Sequence, residues 1–149
     1  MGSRGQALKS GGFSAYNYKT LMRYNNTRFV MLKDTAKSIK VPEMSNSKWA
    51  IYVTISKKGE LQAISFFNGS RRKYKEIDLI QSHHKLLPHV HNIDPNAIHM
   101  RDESNYRALT KKELNRVRKI KEFFYKHHLK ELYQKEILKW QALEFFDKF

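Results

Sequence analysis

The chain contains no cysteine. A disulfide framework, a thiolate zinc site and a cysteine nucleophile are thereby excluded, and the fold has to stand on its apolar core. Proline is scarce, with 3 residues, and so is glycine, with 6, so each marks an individual turn or loop. No apolar run approaches the roughly 20 residues of a membrane span, and Met1-Gly2-Ser3-Arg4-Gly5 lacks the apolar stretch of a signal peptide. No G-x-x-x-x-G-K, G-x-G-x-x-G or G-x-S-x-G pattern occurs, which leaves nucleotide hydrolysis, dinucleotide redox chemistry and serine hydrolysis without support. Acidic residues are also few. Against 14 Asp and Glu stand 29 Lys and Arg, a net charge of +15. So basic a chain repels itself when folded and is relieved by a negative partner. Phosphate backbones reward such a surface through counterion release, whereas an anionic membrane would also need inserting apolar residues. Nucleic acid is the expected partner, RNA favoured over DNA, and no membrane is expected.

At 149 residues the chain fits one domain. Residues 1–12, with four glycines, read as a flexible lead-in or cloning remnant, leaving 13–149 as a single basic domain. Tyr16, Tyr18, Lys19, Leu21, Met22, Arg23 and Tyr24 suggest a short helix before Asn25-Asn26. Strands are expected at Phe29–Leu32, Trp49–Ile55, Leu61–Phe67 and Tyr74–Ile80, where β-branched and aromatic residues alternate around Gly59 and Asn68-Gly69. Thr110-Lys111-Lys112-Glu113 fits a capping box, so a helix starts there. Residues 110–149 hold no Gly or Pro, but the apolar stripe drifts at His127-His128, so either one long helix or a bend or two helices meeting there is expected. The fold class expected is α+β: an antiparallel meander of about four strands, with helices at the N- and C-terminal ends packed on one face. Trp49, Ile51, Val53 and Ile55 should share the strand face that lies under Leu114, Val117 and Phe124.

The stretch from Ser82 to His91 holds four of the seven histidines, His83, His84, His89 and His91. A neutral imidazole can take the proton of a ribose 2′-hydroxyl, and an imidazolium can protonate the departing 5′-oxygen, both near neutral pH. Arg71, Arg72, Lys73 and Lys75 nearby suit a charged phosphorus transition state. The bland alternative is a polar loop whose histidines cap turns or sit in solvent. His89-x-His91 also suits a metal ion, since alternate residues of an extended segment point the same way, with His83 or His84 and Asp78 or Asp94 completing the set. No H-E-x-x-H framework accompanies it, so no metal and no cofactor is the leading expectation and His89 with His91 the metal alternative.

A second basic group, Lys111, Lys112, Arg116, Arg118, Lys119 and Lys121, lies on the early part of the C-terminal helix. With the hairpin group it outlines a phosphate track through Arg71, Arg72, Lys73, Lys75, Lys111, Lys112, Arg116 and Lys119. Tyr16, Tyr18 and Tyr24 are either base-stacking platforms or core, core being the commoner use.

The order of elements on a basic, cysteine-free chain resembles the C-terminal toxin domains of bacterial polymorphic toxins and phage head-associated proteins of the barnase, EndoU, colicin and RelE-like ribonuclease type. The resemblance spans roughly Trp49 to Thr110 and rests on Glu76-Ile77-Asp78-Leu79, Ser82-His83 and Pro88-His89-Val90-His91; the long helical C-terminus departs from the compact family pattern. It implies a cleft shared by histidine, basic and hydroxyl residues, here His83, His89, His91, Arg71 and Ser82, in a metal-independent endoribonuclease. An acidic immunity or inhibitor protein would be a further partner, and the site of action the cytoplasm, reached as part of a larger secreted or phage protein. Two other readings stand beside it: a non-catalytic nucleic-acid-binding accessory protein of a phage or mobile element, and an interaction domain for an acidic protein.

Overall fold

The computed structural model describes residues 7–8, 18–32, 44–45, 47–80, 87–94 and 106–147. Two short strands, β1 (Ala7–Leu8) and β4 (Met44–Ser45), pair antiparallel as a separate ribbon. The remaining strands are β2 (Tyr18–Tyr24), β3 (Thr27–Leu32), β5 (Ile51–Ile55), β6 (Leu61–Phe67), β7 (Lys73–Asp78), β8 (His89–Asn92) and β9 (Tyr106–Arg107). They form one seven-stranded sheet in the order β2-β3-β5-β6-β7-β8-β9. All neighbours are antiparallel except β3 and β5, which run parallel.

This corrects the expectation of a four-stranded meander with a helix at each end. The four strands read from the sequence correspond to β3, β5, β6 and β7; β2, β8 and β9 are additional, and the sheet is mixed. Tyr18 to Tyr24 is a strand, not a helix. Its register pairs Tyr24 with Thr27, so Asn25-Asn26 closes a hairpin, with Asn25 at φ 56, a conformation asparagine tolerates. Cross-strand pairing with β3 decides the matter over a run whose local spacing also fits a helix. Tyr16 lies outside the described residues.

Helix α1 (Lys111–Lys126) begins at the expected capping box: the Glu113 amide donates to Thr110 Oγ1 at 3.2 Å and the Thr110 amide to Glu113 Oε1 at 2.9 Å. The helical run breaks at His127-His128, with His128 at φ 53, before α2 (Leu129–Asp147). Both helices lie on one face of the sheet. Val117, Ile120, Phe124, Leu129 and Tyr133 pack there on Phe29, Val53, Ile55, Ile64, Ile77 and Val90. Ile51, Val53 and Ile55 share that face as expected, but Trp49 and Leu114 are exposed. Trp49 sits at φ 55, outside the strand, so strand alternation does not govern it. Long-range anchors hold α2: Lys19 Nζ to Glu136 at 2.6 Å, Lys130 Nζ to Glu60 at 2.6 Å, and the Tyr133 hydroxyl donating to the Lys57 carbonyl at 3.1 Å. Gly59, at φ 78, turns β5 into β6 against the Tyr133 ring, where a Cβ would stand 3.2 Å from it.

Candidate functional site on the polar face of the sheet

The sheet's second face is also covered, but its chemistry differs. Toward β2, β3 and β5 it is apolar, with Tyr18, Val30, Leu32, Tyr52 and Phe67 in a small second core. No described helix belongs to that cluster. Toward β7 and β8 it turns polar. Because side chains alternate along a strand, the register sets Ser65 of β6, Glu76 of β7 and His91 of β8 in one row, and Ala63, Asp78 and His89 in the next. Ser65, Glu76, Asp78, His89 and His91 are all buried.

His89 and His91 touch edge-on, their Nε2 atoms 2.8 Å apart, so one ring donates and the other accepts. Asp78 Oδ2 lies 4.0 Å from His89 Nε2. Lys73, 2% exposed, brings its ammonium to 3.8 Å from Glu76 Oε1. A carboxylate with its cation, a second carboxylate and a pair of imidazoles thus share one covered face, an arrangement capable of accepting and delivering protons.

On the other side of the sheet a cleft of about 500 Å³ opens between the ends of β5, β6 and β7 and the start of α1. A bulge shifts the β6–β7 register between Phe66 and Phe67, so Tyr74 and Lys75 both reach the Phe66 side: the Tyr74 ring is 6.4 Å from Phe66 and Lys75 Nζ 4.5 Å above it. Arg116 approaches the same ring at 5.8 Å, and Lys112 lines the cleft. The Trp49 indole, 61% exposed, lies over Gly69, where a Cβ would come within 3.2 Å of the ring. Arg107 donates to both Glu113 oxygens at 2.7 and 3.0 Å, and Lys75 Nζ sits 3.0 Å from Glu113 Oε2. The Arg107 guanidinium holds the Glu113 carboxyl far below the usual carboxylate range; the Thr110 amide and Lys75 act in the same direction and burial opposes them.

Of the residues nominated from sequence, His89 and His91 are brought into contact, and Asp78, rather than the exposed Asp94, is their carboxylate neighbour. Ser82, His83 and His84 lie outside the described residues. Arg71 and Arg72 are exposed in the β6–β7 loop, whereas Lys73 points into the polar face. Lys75, Lys112 and Arg116 meet in the cleft; Lys111 and Lys119 are exposed elsewhere on α1. Tyr18 is core, and Tyr24 stacks on Phe123 with ring centroids 4.5 Å apart. The sequence reading missed Glu76, Trp49, Tyr74 and Arg107 as site residues. Glu76 had a signal: a carboxylate alternating with Ile77 in a strand that the flanking hydrophobics mark as buried.

No protein-family model, no curated protein and no solved structure matches the chain. Among the described residues, no helix is long and apolar enough to cross a membrane.

Proposed function

We propose that the chain is a nucleic-acid-directed domain of the endoribonuclease type, cutting RNA by general acid–base catalysis with the groups of the polar face of the sheet. The observation that carries this reading is the cross-strand pair Glu76 and His91, with Lys73 beside the carboxylate and His89 against the imidazole. A base removes the ribose 2′-hydroxyl proton; that oxygen bonds to phosphorus, the bond from phosphorus to the 5′-oxygen breaks, and an acid protonates the leaving oxygen. Base and acid must act on opposite sides of phosphorus. Two imidazoles 2.8 Å apart cannot do so, so the histidine pair supplies the acid and Glu76 the base, while Lys73 faces the charge that develops on the phosphoryl oxygens. Lys73, Glu76, His89 and His91 are buried, so this reading requires them to become accessible to RNA.

A second reading, binding without cleavage, has its own observation. The basic cleft of Trp49, Tyr74, Lys75, Lys112 and Arg116 is open to solvent and combines aromatic rings with cations, the pairing that single-stranded nucleic acid favours. Incubation of the purified protein with total RNA and with plasmid DNA, each with and without EDTA, separates the two. The first reading expects RNA to be cut in either condition and DNA to stay intact. RNA that is retained but never cut leaves the second, in which case Trp49→Ala and Lys112→Glu weaken retention and His91→Ala does not.

A further inference from the structure

His89 and His91 stand at alternate positions of β8, and Asp78 is the direct cross-strand partner of His89 on β7. All three side chains therefore leave the sheet on the same face from two adjacent strands, which is a rigid way to aim donors at one point. Their ligand atoms, one from each residue, lie within 4.8 Å of one another, and the three residues are buried. We infer that Asp78, His89 and His91 form a binding site for one divalent ion of the zinc class.

The distances test the inference. A tetrahedral ion bound by nitrogen at about 2.0–2.1 Å and carboxylate oxygen at about 2.0–2.2 Å holds its ligand atoms roughly 3.3–3.4 Å apart. The two Nε2 atoms, 2.8 Å apart, need to separate by roughly half an ångström, and the Asp78 carboxylate, 4.0 Å from His89 Nε2 and within 4.8 Å of the His91 ligand atom, needs to approach by roughly 0.6 to 1.4 Å. The adjustment this asks for is one of side-chain torsions at Asp78, His89 and His91. Two imidazoles and one carboxylate match zinc, cobalt or nickel better than magnesium or calcium, which prefer all-oxygen sets. Three protein donors leave a fourth corner for water or a phosphate oxygen. Glu76, cross-strand from His91, stands where an outer carboxylate could orient a ligating imidazole.

The inference does not depend on the ribonuclease reading, but it bears on it: an ion held by His89 and His91 takes away their proton-transfer capacity, so zinc should inhibit cleavage and EDTA should relieve that inhibition. The test is titration of the full chain with zinc and, separately, with cobalt, followed by calorimetry and by the visible absorption of bound cobalt. The expected result is one ion per chain with a tetrahedral cobalt spectrum, weakened more than 100-fold in His89→Ala, His91→Ala and Asp78→Asn and unchanged in His127→Ala and His128→Ala at the exposed helix junction. Since a buried substitution can disturb folding, zinc-edge X-ray absorption on the loaded wild-type protein gives an independent readout, with two imidazole ligands and a light-atom oxygen expected. Failure to bind either ion, an all-oxygen shell, or binding that survives all three substitutions overturns the site. Ion binding by a protein that never cuts RNA sustains the site and removes only the ribonuclease reading; cleavage by a protein that binds no ion does the reverse.

Discussion

On β5 to β8 the residues facing the helices include Ile51, Val53, Ile55, Ile64, Phe66, Ile77 and Val90, while those facing away include Tyr52, Thr54, Ser65, Glu76, Asp78, His89 and His91. The same strands, read at alternate positions, thus carry two kinds of chemistry, although both sets are buried. Covering hydrocarbon stabilises the fold by about 25 cal/mol per Å². Covering hydroxyls, carboxylates and imidazoles costs free energy unless each is paired. A face that keeps such groups in the middle of a sheet is not the cheapest way to stabilise it, and the difference points to chemistry on one side and stability on the other.

If that division is right, substitutions on the two faces separate activity from stability. The largest effect is expected from His91→Ala and Glu76→Gln, each cutting RNA cleavage by about 10²- to 10⁴-fold while RNA retention stays near wild type, as single-turnover assays beside filter binding would register. Comparable losses of cleavage and retention would erase the distinction. Next comes Ile64→Ala on the helix face, which removes a fully buried side chain and should cost about 2–5 kcal/mol in urea unfolding, with cleavage per folded molecule unchanged.

Smaller still is Glu113→Gln, which loses the charge-assisted bonds from Arg107 and half the helix cap. Arg107 is partly exposed, so screening trims the cost to about 1–3 kcal/mol. The folded-state pKa of Glu113 is depressed. Its contribution is therefore complete above the unfolded carboxyl value of about 4.3 and is lost as pH falls through the folded value below it. Wild type should lose stability below that point more steeply than Glu113→Gln in acid titrations followed by circular dichroism; parallel curves would deny Glu113 this role. The smallest effect belongs to Thr54→Val. The Thr54 hydroxyl is fully buried on the polar face and, among the described residues, has no hydrogen-bond partner. A methyl of the same shape should leave stability unchanged or raise it by about 1 kcal/mol, and a clear loss would mean that this hydroxyl is paired after all.

The legible parts of the sequence were those in which local chemistry and tertiary context agree. Thr110 and Glu113 cap α1 because the capping box needs only its own residues. Ile51, Val53 and Ile55 alternate into the core because two-residue periodicity fixes a strand's faces. Where partners decide, the sequence was silent. Tyr18 to Tyr24 has spacing that suggests a helix, and pairing with β3 makes it a strand instead; the parallel β3–β5 pairing leaves no local mark at all. Within the site, the histidine pair was visible from its spacing, but its choice of Asp78 over Asp94 required the β7–β8 register. Glu76 is legible only as a carboxylate in a buried strand; the folded sheet alone sets it opposite His91.

The ends of the cleavage products test the catalytic role of the polar face most directly, since the chemistry of the bond-breaking step is written in them. RNA treated with the wild-type protein in EDTA and examined by mass spectrometry should carry 2′,3′-cyclic phosphates facing 5′-hydroxyls, because the 2′-hydroxyl is the nucleophile when Glu76 and the histidine pair move the protons. Products ending in 3′-hydroxyl and 5′-phosphate, formed only when a divalent ion is supplied, would contradict acid–base catalysis on this face.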